Sequence, residues 1–135
     1  MRKLDKDYPG QELTGRIIGA AMEVHKTLGP GFEEIFYQRA LVKELPAHGL
    51  EFAREEWITV HYKGEKIGNK RVDFVIEGVM VEIKAREKIE PVHVIQAVSY
   101  LKASGYRLGL LLNFGAAKLE IKRLINEKGN HNENP

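Results

Sequence analysis

Hydrophobic residues recur at helical spacing twice before residue 50 and at strand spacing from residue 55 onward. Ile17, Ala21, Val24 and Leu28, widened by Ile18, Met22 and His25, predict a helix. Thr14 is its expected N-cap, and Gly29-Pro30-Gly31 stops it. His25, among apolar neighbours near the helix end, reads as a packed residue. A second helix is expected from about Phe32, with Ile35, Phe36, Ala40, Leu41 and Leu45 on its apolar side. Pro46 ends or bends it. From Glu55 the period becomes two: Trp57, Thr59 and His61 alternate with Ile58, Val60 and Tyr62. Short turns at Lys63-Gly64 and Glu77-Gly78 then give an antiparallel meander of strands, roughly 55–62, 66–76 and 79–84. Pro91 suits the first turn of a third helix, with Val94, Ala97, Val98 and Leu101 as its stripe. Residues 106–114 form a short apolar run between Gly105 and Gly115, the pattern of a strand buried on both faces. Residues 118–125 fit either a terminal helix or an edge strand. The order α-α-β-β-β-α-β plus a terminal element predicts an α/β fold, a central mixed sheet flanked by helices. It occupies 11–125 as a single domain, with 1–10 a polar lead-in and 126–135 a polar, frayed tail.

Within the meander, residues 71–84 read as a hairpin with an acid on its first strand and an acid and an amine on its second. Strand parity points Val72, Phe74, Ile76, Val79, Val81 and Ile83 one way, and Arg71, Asp73, Val75, Met80, Glu82 and Lys84 the other. A two-residue turn at Glu77-Gly78 sets Asp73 directly opposite Glu82, with Cβ atoms roughly 5 Å apart. Like charges so placed repel unless a proton or a cation lies between them. The plainer alternative is a solvated face carrying cross-strand charge pairs. A tight turn would also put Glu77 at positive φ, so a bulge or a longer loop competes with it. Glu34 on the second helix, and Gln96 and Tyr100 four apart on the third, are further polar groups able to converge on this face.

Composition narrows the chemistry. The chain has 135 residues, 43% hydrophobic and 30% charged, which suits one domain with a real core. A net charge of +2 means that any nucleic-acid surface must be local. The absence of cysteine excludes thiolate zinc sites and cysteine nucleophiles. His25, His48, His61 and His93 lack zinc-type paired spacing, and no glycine-rich phosphate loop is present. No signal-like or membrane-spanning apolar run occurs, so a cytoplasmic domain without membrane contact is expected. An all-carboxylate set suits Mg²⁺, with Mn²⁺ as a substitute. Asp73 and Glu82, helped by the backbone carbonyl of Ile83, are the expected ligands, and Lys84 would orient a water or offset phosphoryl charge.

Asp73, followed nine residues later by Glu82-Ile83-Lys84, is similar to the D…(D/E)xK signature of the PD-(D/E)XK nuclease superfamily. Gly31, Glu34 and Tyr37 resemble the motif that names its GxxExxY group. The likeness extends through 19–25, 28–31, 91–93 with Gln96 and Tyr100, and 110–115, so it covers about residues 11–125. Val72 stands where the superfamily usually has proline, and Pro46 is atypical of the group. The resemblance implies a restriction-endonuclease-like α-β-β-β-α-β core. By carry-over, Asp73 and Glu82 are metal ligands, Lys84 the catalytic lysine and Glu34 an auxiliary acid, with Gln96 and Tyr100 positioning metal, water or DNA. It implies a Mg²⁺-dependent nuclease acting on nucleic acid, DNA foremost. A domain this small, without a separate DNA-reading module, is expected to grip a duplex as a homodimer or with a protein partner. The alternative is a nuclease-like module that binds nucleic acid or protein with little turnover. A weaker third reading is hydrolysis of another phosphoester.

Overall fold

The structure is a computed structural model and describes residues 10–129. The first nine residues of the expected lead-in and the last six of the expected tail lie outside the described residues. Helix α1 spans Gln11–Leu28 and begins one turn earlier than its sequence pattern indicates. Gly10, at φ 71°, is the cap residue, while Thr14 is fully buried inside the helix. The Thr14 hydroxyl donates back to the carbonyl of Gly10 at 3.1 Å instead of capping. Ile17, Ala20, Ala21 and Val24 form the buried side. His25 is a packing residue, with Nε2 2.9 Å from the carbonyl oxygen of Ala116.

Helix α2 spans Glu34–Ala47. Its buried stripe is Tyr37, Leu41 and Leu45, four apart throughout. Phe36, expected on the apolar side, is instead 45% exposed. Pro46 does not stop the helix, which runs one residue further. The proline occupies the last turn, and its carbonyl accepts the Gly49 N–H at 2.9 Å.

Five strands follow the order β1-β2-β3-β4-β5, namely Phe52–Tyr62, Glu65–Ile76, Val79–Lys84, Leu108–Asn113 and Glu120–Ile125. Helix α3, Pro91–Ser104, lies between β3 and β4 and makes their pairing parallel, while the other three pairings are antiparallel. The ambiguous 118–125 segment is therefore an edge strand. All six residues of β4 are buried, as its apolar run predicts. Phe74, Ile76, Val79, Val81 and Ile83 pack against α1 and α2, while Val75, Met80 and Leu111 pack against Ala97 and Leu101 of α3. Among the described residues, no helix is long and apolar enough to cross a membrane.

Two local features of the meander position the site. The Glu77-Gly78 turn is a true two-residue turn, with φ 47° and 88° and Ile76 paired to Val79. The strain at Glu77 is accompanied by a bond from the Glu51 N–H to its carboxylate at 3.1 Å. In addition, β2 pairs with β3 only from Phe74 to Ile76, although it pairs with β1 along nearly all its length. Residues 56–72 of β1 and β2 thus form a two-stranded arm that runs on beyond β3. Where the arm leaves the sheet, Glu55 takes φ 52° and neither Glu55 nor Asp73 is in the ladder. Parity breaks there: Val72, expected on the face of Phe74, packs with Val75 and Met80 on the α3 side.

Candidate active site

The site lies where β2 and β3 part. Asp73 and Glu82 do not form the regular cross-strand pair that the turn arithmetic implies, since the β2–β3 ladder stops at Phe74 and Val81. Each carboxylate instead takes the place of a backbone carbonyl. Glu82 Oε1 accepts the Asp73 N–H at 3.2 Å, and Asp73 Oδ2 accepts the Ile83 N–H at 2.8 Å. This exchange satisfies two strand N–H groups that the divergence would otherwise strand, and it draws both acids together. Glu82 is only 8% exposed. Burial, followed by the neighbouring Asp73 charge and a hydrogen bond to Asp73, pushes its pKa up to about 8. Ionising both acids together is therefore costly, and a proton or a bound cation between them relieves that cost.

Lys84 ends β3 two residues beyond Glu82. Its carbonyl accepts the Phe114 N–H at 2.8 Å, which carries the parallel pairing with β4 one step past the strand. The following loop is held from beneath by Asn113, a fully buried polar side chain. Asn113 Oδ1 accepts the Arg86 and Gly115 N–H groups, and Nδ2 donates to the Arg86 carbonyl and to Glu120 Oε1, at 2.8–3.2 Å. The same Glu120 oxygen accepts the Ile89 N–H at 2.8 Å. The Asn113 hydrogen bond holds the Glu120 pKa below the usual carboxylate range. Gly115 must be glycine here: a Cβ would lie 2.4 Å from the Arg86 nitrogen. The only sequence signal for this clamp was an Asn-Phe-Gly ending to an otherwise apolar strand.

Glu34 reaches the same place from the first residue of α2. Tyr37, buried one turn later, stacks on Phe114 at 4.9 Å, donates its hydroxyl to the Gly29 carbonyl at 2.6 Å and accepts the Phe32 N–H at 3.1 Å. These bonds fix the loop through Gly31, whose φ of 116° favours glycine, and so set where α2 begins. Burial, and then the Asp73 charge, raises the Glu34 pKa, while Lys84, Lys70 and Arg86 oppose the rise. Their opposition places three cations around the acids.

Lys70 is the residue that sequence reasoning missed. Regular alternation would put it on the face opposite Asp73; the kink at Asp73 brings it round. Its Nζ lies 5.2 Å from the ring centroid of Tyr100, and its charge acts on both Glu34 and Glu82. Tyr100 thus meets the site through Lys70 while packing on the α3 core. Gln96 is exposed, and among the described residues its side chain makes no hydrogen bond. A cleft of about 550 Å³ opens between the N-terminal part of α2 and the arm, lined by Glu34 and Gln38 on one side and Trp57, Asn69, Lys70 and Arg71 on the other, with Asp73.

The profile of the PD-(D/E)XK nuclease superfamily matches residues 11–124, from the start of α1 into β5. The chain belongs to that superfamily. Searches of curated proteins and of solved structures find no match. The five-stranded sheet between helices is consistent with the restriction-endonuclease-like fold of the superfamily, and the protein is a nuclease-like domain. Members are generally dependent on divalent metals, and the donor set fits such an ion: every candidate side-chain ligand is a carboxylate. Among the described residues, no three His, Asp or Glu side chains close around one point, so two carboxylates are the protein's main offering. That suits Mg²⁺, which keeps several waters and shares its remaining positions with substrate phosphate.

Proposed function

We propose that this protein is a Mg²⁺-dependent nuclease of the GxxExxY group, hydrolysing phosphodiester bonds in nucleic acid, with DNA as the expected polymer. The observation that carries the reading is the exchange of backbone partners between Asp73 and Glu82, which draws two carboxylates together, one of them on the strand that ends at Lys84. Asp73 and Glu82, with the backbone carbonyl of Ile83, would hold the ion, and Glu34 would assist. When bound, the ion supplies a Lewis acid for the phosphoryl oxygen and lowers the pKa of a water. Lys84 holds the attacking water or offsets charge gathering on the phosphoryl group. Its backbone is pinned by Phe114, and the loop after it by Asn113, so the amine starts from a rigid base. Tyr100 steadies Lys70 beside the acids, and Gln96 on the same helix is available to the substrate.

The test is cleavage of linear, circular and single-stranded DNA and of RNA, with Mg²⁺, with Mn²⁺ and with EDTA. Wild type should cut only with metal. Lys84→Ala should lower the rate at least about 100-fold, the usual cost of removing a charge-stabilising group, and Glu82→Ala should do the same. Binding without cleavage under every metal would replace the enzyme with a nucleic-acid-binding module. Calorimetry that finds no divalent-metal binding dependent on Asp73 and Glu82 would remove the site itself.

A further inference from the structure

The arm carries the chain's one tryptophan, and it is not buried. Trp57 is 61% exposed, although the guanidinium of Arg71 sits over its ring at 5.3 Å from the centroid. Trp57 pairs with Arg71 in the β1–β2 register, two residues from Asp73, a separation of roughly 7 Å along the strand. The ring, Asn69, Lys70 and Arg71 line the cleft that Asp73 and Glu34 also line. An aromatic face, two cations and an amide edge, beside two acids suited to a phosphate-bound metal, match the parts of one nucleotide. We infer that Trp57 and Arg71 form a stacking platform for an unpaired nucleobase next to the bond to be cut, so that the substrate is single-stranded or locally unpaired nucleic acid.

This inference rests on the nuclease reading and sharpens its substrate. In a stacked duplex the π-faces of the bases are covered by their neighbours, and a protein ring reaches them only when a base is unpaired and splayed. Stacking accepts any base, which suits a cleft with few base-reading groups: Asn69 lies on the arm, and Gln38 opposite already accepts from Arg54 at 2.8 Å. The Arg71–Glu55 ion pair, 3.5 Å long and half exposed on both sides, is weak enough to yield to a phosphate. Lys70 then neutralises the phosphate nearest the acids.

Because Trp57 is the only tryptophan, its fluorescence reports the platform directly. The protein, in Ca²⁺ to slow turnover, would be titrated with a single-stranded DNA 20-mer, with the same sequence as a blunt duplex, and with a 20-mer of abasic residues. The single strand should quench the emission strongly; the duplex should not, and the abasic strand should bind without quenching. Trp57→Ala should bind the single strand roughly ten-fold more weakly, the loss of one base–aromatic stack, while Trp57→Phe keeps most of the affinity. Equal quenching by duplex and single strand, or an unchanged Kd in Trp57→Ala, would overturn the platform while leaving the nuclease reading intact. Failure of all three polymers to bind would overturn both.

Discussion

Replacing Glu82 with glutamine tests the central electrostatic claim without any substrate. In the metal-free protein the Glu82 carboxyl holds its proton to about pH 8, against 4.5 in an unfolded chain. Below pH 4.5 the group is protonated in both states and affects nothing. Between 4.5 and 8 the unfolded chain releases the proton and the folded one keeps it, so stability falls as pH rises, and above 8 the full penalty stands. A shift of that size is worth at most about 5 kcal/mol. The glutamine removes the charge but keeps the hydrogen bond to Asp73, so we expect the amide to recover about 2–3 kcal/mol of that ceiling at pH 8.5, or roughly 6–10 °C in Tm for a domain this size. The glutamine oxygen can still accept the Asp73 N–H, and its NH₂ can donate to Asp73 as the protonated acid does.

The assay is urea and thermal unfolding of both proteins in EDTA from pH 5 to 9. The two curves should nearly coincide at pH 5 and separate as pH rises, with Glu82→Gln the more stable. Glu34 is also raised, but it is common to both proteins and cancels in the difference. Mg²⁺ at about 1,000 times its Kd should then reverse the order at pH 8.5, since it stabilises wild type by about 4.1 kcal/mol and has little hold on the amide. Parallel curves across the whole pH range, or a glutamine variant that is less stable at pH 8.5 without metal, would show that the two acids are not short of a cation.

Two other substitutions separate scaffold from chemistry. Tyr37→Phe should cost about 1 kcal/mol in urea unfolding, because it removes the part-buried hydrogen bonds of the hydroxyl to the Gly29 carbonyl and the Phe32 N–H. Asn113→Leu should expose the Arg86 and Ile89 amides to hydrogen exchange and lower cleavage, with calorimetric Mg²⁺ binding at Asp73 and Glu82 retained; unchanged protection of those amides would remove Asn113 from its clamping role.

The helices, the meander and the buried last core strand were legible because each has its own period and its own stop residues. The misplaced boundaries have local causes. Thr14 looks like a cap by residue type, but its hydroxyl turns back on the preceding carbonyls. Pro46 looks like a stop, but it stands in a final turn that closes around it. Asp73, Glu82 and Lys84 could be picked out as a group because they occupy one short hairpin. Lys70, Trp57 and the Asn113–Glu120 clamp could not. Lys70 depends on a break in strand parity, and the clamp joins side chains 27 and 31 positions from the loop residues they hold.

That break in parity ties the site to the cleft. If β2 had continued its ladder with β3 past Phe74, Asp73 and Glu82 would sit as an ordinary repelling pair, with their backbone groups bonded to each other. Strand divergence leaves N–H groups unmet, the carboxylates meet them, and the acids become a rigid, closely set pair with Glu82 buried. The same divergence frees residues 56–72 to run on as a two-stranded arm, with Glu55 held at positive φ at its root. The arm carries Lys70, Arg71 and Trp57 past the acids and forms the wall opposite α2. The carboxylates and the surface that would hold a strand against them are thus products of one local event in the sheet, and moving the kink by a residue would disable both together.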